Sequence, residues 1–289
     1  FEIAALTNDK EAIAKAGITA IAVENIPTDA IKIEKIKIGL WDRYGGSMPS
    51  GWVRWMLEQY NFSFQVVYPQ EIDKGNLNAK YDVILFIGGG IPRLGNSSSR
   101  NQADPEDIDP KYHPLLGTLS TDASIPAIKD FMENGGKVVA VGAATTLAYH
   151  LDLPVKNALV ETSADGEEKD LTGDKYYIPG SILRANIDQK NPVNLGMPST
   201  ANMVFNNSPV FKLADDASAK GVKALAWFDE SSPLVSGWAW GEDYLKNGVV
   251  AFEAPVGKGK LYAFGPEITF RAQAHGTFKM LFNNLYQIK

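Results

Sequence analysis

The chain has 289 residues, 45% hydrophobic and 21% charged, a composition that fits one large α/β domain or two smaller ones. Against 28 Lys and Arg stand 34 Asp and Glu, and the net charge of -6 is scattered. No basic stripe is left to follow a nucleic-acid backbone. The absence of cysteine excludes thiol catalysis, disulfides and cysteine-based zinc sites together, and it suits the periplasm or cell exterior as well as the cytosol.

Residues 1–34 read as an N-terminal extension or linker from an upstream domain. Within it, 9–23 resembles a short helix feeding a strand at 17–23, and Pro27 and Asp29 mark the linker. The segment starts at Phe1 and lacks a basic region followed by an apolar core, so it does not read as a signal peptide. It reads as the start of a mature or excised piece. No run of about 18 apolar residues is present to span a bilayer.

From residue 35 onward the pattern predicts an α/β domain reaching residue 289. An alternating strand at 35–41 enters a turn at Asp42 to Pro49. A helix at 51–60 follows, with Val53, Met56, Leu57 and Tyr60 at helical spacing. Strands are predicted at 63–68 and 82–87, the latter apolar almost throughout, which suits a strand buried on both faces. It ends in Gly88-Gly89-Gly90. The polar stretch 94–123 is a long loop, of the kind that often forms lids or binding loops. A helix at 125–134 leads to the strand 137–141, which runs into Gly142-Ala143-Ala144 with Thr145 and Thr146 just beyond.

This strand–helix alternation predicts a doubly wound, mainly parallel sheet of flavodoxin-like type. Residues 151–247 change in texture, with short β-like runs at 175–187, 209–213 and 222–228, and predict a β-rich insertion. Strands at 248–254 and 259–265 and a closing helix at 273–287 complete the domain.

The candidate chemistry is sparse. Gly88-Gly89-Gly90 after a buried strand suggests a phosphate cradle, but Ile91-Pro92-Arg93 follows instead of a third glycine or Gly-Lys-Ser/Thr. Only His113, His150 and His275 are present, and none shares metal-ligand spacing with a carboxylate. No metal is expected in this chain. Asp104, Glu106, Asp107 and Asp109 form an acidic loop whose prolines and missing glycine make it a poor calcium site. Ser97 to Ser99 and Ser181 lack the Gly-x-Ser-x-Gly context of a hydrolase nucleophile. Trp41, Trp52, Trp238 and Trp240 are read as core residues or as aromatic platforms at the sheet's edge.

Two resemblances organise these observations. A class I glutamine amidotransferase-like domain carries its nucleophile on a turn after a buried strand and a His-Pro-Glu after a late strand. Here Gly142 or Ala143 stands in the first place and Gly265-Pro266-Glu267 in the second, so Glu267 alone would remain of that triad. Arg271 and His275, spaced i, i+4, would share a helical face if the closing helix began early enough. In that case Arg271 would neutralise Glu267 or another carboxylate.

The second resemblance rests on "GLWDRYGGSMPSGWVRWMLEQY", "YYIPGSILRANID", "NPVNLGMPS", "NNSPVF", "SGWAWGEDYL" and "FRAQAHGTFKMLFNNLY". These look like the C-terminal region of bacterial secreted zinc carboxypeptidase-like proteins, in which a carboxypeptidase A-type metallopeptidase domain precedes an amidotransferase-like domain. The resemblance implies a secreted or periplasmic protein whose zinc lies in an upstream peptidase domain. It further implies a non-catalytic accessory role here, with that domain and a peptide or cell-wall ligand as partners. The alternatives are a hydrolase using Glu267 and His275 with an unplaced serine, and a binding protein for a small carbohydrate or peptide. In an open α/β sheet the vestigial pocket belongs at the carboxyl ends of the strands. It should gather Gly88, Gly89, Gly90, Gly142, Ala143, Gly265, Glu267, Arg271 and His275.

Overall fold

The structure, a computed structural model, describes residues 24–25, 28, 33–34, 36–94, 104–229 and 232–288. The predicted helix at 9–23, the strand at 17–23 and Ser97 to Ser99 lie outside the described residues. Ile36–Leu285 forms one compact unit, and the flanking residues form a second. In the second unit Ile33 pairs with Ile288 and Glu34 with Gln287, antiparallel.

The main unit opens with β1 (Ile38–Trp41), α1 (Met48–Gln59), β2 (Phe64–Val67), α2 (Pro69–Asp73) and β3 (Val83–Ile87). It continues with α3 (Ser124–Glu133), β4 (Lys137–Val141) and the single turn α4 (Leu147–His150). The insertion holds β5 (Val155–Asn157), β6 (Val160–Thr162), β7 (Glu168–Asp170), β8 (Pro179–Ile187), β9 (Thr200–Asn206), β10 (Phe211–Leu213), β11 (Lys223–Trp227) and β12 (Leu234–Ser236). The chain closes through β13 (Val249–Val256), β14 (Gly259–Phe264) and α5 (Phe278–Phe282).

Five of these strands run parallel in the order β2-β1-β3-β4-β14, the flavodoxin-like arrangement. Beyond β14 the same sheet continues antiparallel through β13, β11, β8 and β9. The insertion thus extends the main sheet, apart from the small β6-β7 ribbon.

Alternation along the strands sorts the core into two faces. Ile38, Leu40, Leu85, Val139 and Phe264 point to the face covered by Val53 and Leu57 of α1 and by Met280 and Leu281 of α5. Ile84, Phe86, Val138 and Ala263 point to the face covered by Ile72 of α2 and by Ile128 and Phe131 of α3. Apolar residues at every strand position are what a sheet covered on both sides requires. The fold is doubly wound α/β.

Three expectations are corrected. Helix α1 starts at Met48, because Ser47 caps it by accepting from the Ser50 amide at 3.3 Å and Pro49 suits a first turn. Strand β9 was not anticipated, although Ala201, Met203 and Phe205 alternate inward along it. The closing helix over 273–287 is a chain of 3-10 turns around the five-residue α5. Left-handed backbone at Arg271 (φ 48) and Ala272 (φ 54) breaks it at the start. The Thr277 hydroxyl further anchors the break by donating to the Ile268 carbonyl at 2.6 Å. Arg271 and His275 therefore share no helical face.

Candidate functional site

A cavity of about 360 Å³ opens at the carboxyl ends of the parallel strands. Its floor is Ile87-Gly88 after β3 and Val141-Gly142-Ala143 after β4. Met48, Pro49 and Trp52 of the first two turns of α1 form an apolar wall. That helix end is held in place because the buried Ser50 hydroxyl donates to the Trp41 carbonyl at 2.9 Å, joining α1 to the end of β1. Asp42 closes the same strand end. Burial pushes its carboxyl up from the ordinary range, against the backbone N–H groups of Arg43 and Ser47.

The opposite wall comes from the insertion and from the segment after β14. Asn206 ends β9 and Asn207-Ser208-Pro209 follow it, and Gly265, Glu267, Thr269, Phe270 and Arg271 follow β14. The Glu267 amide donates to the Val204 carbonyl at 3.1 Å, docking this segment on β9. The Glu267 carboxylate accepts from Asn206 Nδ2 at 3.5 Å, a long contact.

Gly142 stands at the strand-to-helix turn. Its φ of +63 lies in the left-handed region, and a Cβ there would meet only the Gly88 Cα, at 3.6 Å. A sharp, left-handed residue between a buried strand and a helical turn is the geometry of a nucleophile elbow. At this turn the residue is glycine, which offers no side-chain nucleophile. The neighbouring threonines do not replace it, because Thr145 donates to the Gly142 carbonyl at 2.7 Å and Thr146 to the Ala143 carbonyl at 2.8 Å.

The predicted site residues divide in two. Gly88, Gly142, Ala143, Gly265, Glu267 and Arg271 line the cavity. Gly89, Gly90 and His275 do not line it. Gly90 sits over the Trp41 ring, whose atoms would lie 2.9 Å from a Cβ there. His275 is exposed and stacks on Phe278 at 4.8 Å. Arg271 makes no ion pair with Glu267 and lies over the Phe270 ring at 5.1 Å. The expected neutralisation of Glu267 by Arg271 is therefore corrected.

The other sequence candidates hold structure. His113 Nε2 lies 3.0 and 2.9 Å from the Pro105 and Ile108 carbonyls, and His150 Nε2 lies 2.7 Å from the Pro92 carbonyl. Asp104 and Asp109 cap 3-10 turns by accepting from the Glu106 and Lys111 amides, each at 3.0 Å. Ser181 is engaged with the backbone of Trp238. Trp41 is a core residue. Among the described residues no group of three His, Asp or Glu is placed to hold a metal ion. No helix among them is long and apolar enough to cross a membrane.

Sequence reasoning missed Ser208 and Thr269, the two hydroxyls of the cavity wall. Ser208 Oγ accepts from the Asn206 amide at 3.1 Å, and no histidine lines the cavity. What remains is a pocket with apolar walls, one cation, one carboxylate and several amide and hydroxyl groups. That composition is typical of a binding site for a small polar molecule.

No family model and no curated protein matches the chain. Among solved structures it is similar to a glutamine amidotransferase from Thermotoga maritima, with a TM-score of 0.47 and 10% identity over 87% of this chain and 84% of that one. A protein described as part of a GMP synthase from Thermoplasma acidophilum gives a TM-score of 0.49 and 14% identity, over 87% and 93% of the two chains. A ThuA-like protein from Bacteroides uniformis gives 0.45 and 12% identity, over 90% and 93%.

Backbone strain collects at the rim. Among the described residues the non-glycine positions with positive φ are Asn or Asp except for Arg271 and Ala272. Each such residue costs about 1 kcal/mol or more, and such outliers cluster where a ligand is held. Replacing Arg271 by glycine is expected to stabilise the fold by about 0.5–1 kcal/mol while removing the cavity's cation. Urea denaturation checks this, and a lower midpoint would show that guanidinium packing on Phe270 outweighs the strain.

Proposed function

We propose that this chain is a non-catalytic amidotransferase-like domain whose strand-end cavity binds a small polar ligand. Its partner is an upstream zinc carboxypeptidase-like domain of a secreted or periplasmic protein, which it docks against, stabilises or helps to supply with peptide or cell-wall substrate. Any zinc belongs to that upstream domain. One observation carries the loss of catalysis: Gly142 occupies the elbow in the left-handed conformation and brings no nucleophile. The resemblance of its sequence motifs to the C-terminal region of zinc carboxypeptidase-like proteins supports the accessory role.

The test is turnover of glutamine and of an activated ester by the purified chain, alongside Gly142→Cys. The elbow has room for a side chain, so the variant restores a thiol at the former nucleophile position but supplies no base. Neither protein is expected to release ammonia, and neither should hydrolyse the ester above the buffer rate. Turnover by the unmodified chain that disappears in Ser208→Ala or Glu267→Ala would overturn the proposal and favour a serine hydrolase.

A further inference from the structure

Away from the cavity, the insertion exposes a group of aromatic rings that the core does not use. Trp238 is 53% exposed, Trp240 51% and Tyr177 44%. Tyr177 and Trp240 are directly opposed in an antiparallel bridge, each amide donating to the other's carbonyl at 3.0 and 3.1 Å. Side chains opposed in this way leave the ribbon on the same side. The Tyr177 ring also meets the Trp238 ring edge-on at 5.9 Å. Three large rings therefore stand together at the surface.

The group is held rigidly. The Trp240 indole N–H donates to the Asp174 carbonyl at 2.7 Å. The Ser181 hydroxyl both accepts from the Trp238 amide, at 2.9 Å, and donates to the Trp238 carbonyl. Gly241, at φ +72, approaches the Lys175 carbonyl so closely that a Cβ would lie 2.0 Å from it. With the Trp240 N–H consumed, that ring has only its apolar face left to offer. The Trp240 ring and the Trp238 backbone are thus fixed before any ligand arrives.

A polar groove lies further along β8, the strand that holds Trp238 through Ser181. The segment before Trp238 pairs with β8, where Ser236 opposes Ile182, Leu234 opposes Leu183 and the Arg184 amide donates to the Pro233 carbonyl at 2.9 Å. Arg184 lies three residues, about 10 Å, from Ser181 along that strand. There it lines a groove of about 420 Å³ with Asn186, Asp229 and Ser232. Asn186 Nδ2 donates to Asp229 Oδ2 at 3.0 Å, and the Trp227 indole donates to Asp229 Oδ1 at 2.6 Å. Planar amide, carboxylate and guanidinium groups match pairs of adjacent hydroxyls, and aromatic faces match the C–H face of a sugar ring. Arg184 and Asp229 carry opposite charges, and Lys175 beside the rings is already paired with Glu161. The Glu242 carboxylate accepts from the Ser232 hydroxyl of the groove at 3.0 Å, so no excess of positive charge is left to attract an anionic ligand.

We propose that Tyr177, Trp238 and Trp240, with the groove at Arg184, Asn186 and Asp229, form a binding surface for a neutral oligosaccharide. This surface is independent of the strand-end cavity.

The experiment titrates the full chain with cellohexaose and with chitohexaose, read by calorimetry and by tryptophan fluorescence. At least one hexasaccharide is expected to bind, with a blue shift of the emission as the indoles leave water. Trp238→Ala and Trp240→Ala should each weaken it about tenfold or more, the loss typical of a central aromatic anchor. Trp240→Phe keeps a stacking face and should retain most of the affinity, which separates stacking from a folding defect. Absence of binding by both sugars at millimolar concentration would overturn the proposal. Affinity that survives the double tryptophan variant but is lost in Arg271→Ala would overturn it too, by moving the sugar to the cavity. A concentration-dependent dimer abolished by the tryptophan variants, without sugar binding, would overturn it by showing that the rings cover a second copy of the chain.

Discussion

Gly265→Ala is expected to destabilise the protein by about 3 kcal/mol or more, whereas Gly142→Ala costs only about 1 kcal/mol. A Cβ at Gly265 would lie 2.0 Å from the Pro209 carbonyl oxygen and 3.3 Å from that of Val250. Both obstacles are backbone, and the Gly265 amide is itself bonded to the Val250 carbonyl at 2.8 Å. The strand end and the Asn206–Pro209 wall would have to part, which disturbs β13, β14 and the cavity together. At Gly142 the nearest atom to a Cβ is the Gly88 Cα at 3.6 Å, an ordinary contact. The cost there is the left-handed backbone alone, partly offset by the lower entropy of the unfolded alanine chain. For a domain of this size the first substitution should lower Tm by roughly 6–12 °C and the second by a few degrees. Equal effects would show that the two strand ends are not built differently. The contrast matters for function, because it leaves the elbow glycine without a packing reason while the Gly265 glycine has one.

What the sequence revealed and what it hid follow from range. The strands at 82–87 and 137–141 are apolar after their first residues, Asp82 and Lys137, and short apolar runs between turn signals point to a sheet covered on both faces. The parallel order then follows from strand–helix alternation, and the strand-end rule points to Gly88, Gly142 and Gly265 without knowledge of any contact. Helix α1 is legible in its apolar spacing, but its start depends on the Ser47 cap, which a periodicity argument does not weigh.

The closing segment misleads because Phe278, Leu281 and Phe282 have helical spacing, while nothing local marks left-handed backbone at Arg271 and Ala272. That conformation is imposed from outside, by the Thr277 hydroxyl on the Ile268 carbonyl and by the docking of Glu267 on β9. The Asn206–Pro209 wall is hidden for the same reason. It reaches the cavity only because β9 pairs with β8, and that strand joins the parallel core through β11 and β13. An insertion that reads as a separate texture supplies one side of the site.

That continuity sets the last expected result, for Phe252→Ala. Phe252 is fully buried on β13, the strand at which the parallel half of the sheet passes into the antiparallel half. Its ring meets Phe211 of β10 edge-on at 5.0 Å, and Phe211 in turn faces Tyr149 of α4 at 6.5 Å. Burial pushes the Tyr149 phenol up to about 12. Removing the Phe252 ring deletes the β13 end of a path from α4 through β10 to β13 and leaves a cavity among backbone-paired strands that cannot close around it. The cost is expected to be about 3–5 kcal/mol. Because the insertion shares one sheet and one core with the rest, the loss should appear as a single transition at lower denaturant. Near- and far-ultraviolet circular dichroism should then report the same midpoint. Two separated transitions would instead mean that β8, β9 and β11 fold as a unit of their own. The cavity wall at Asn206–Pro209 would in that case be free to come and go without the parallel core.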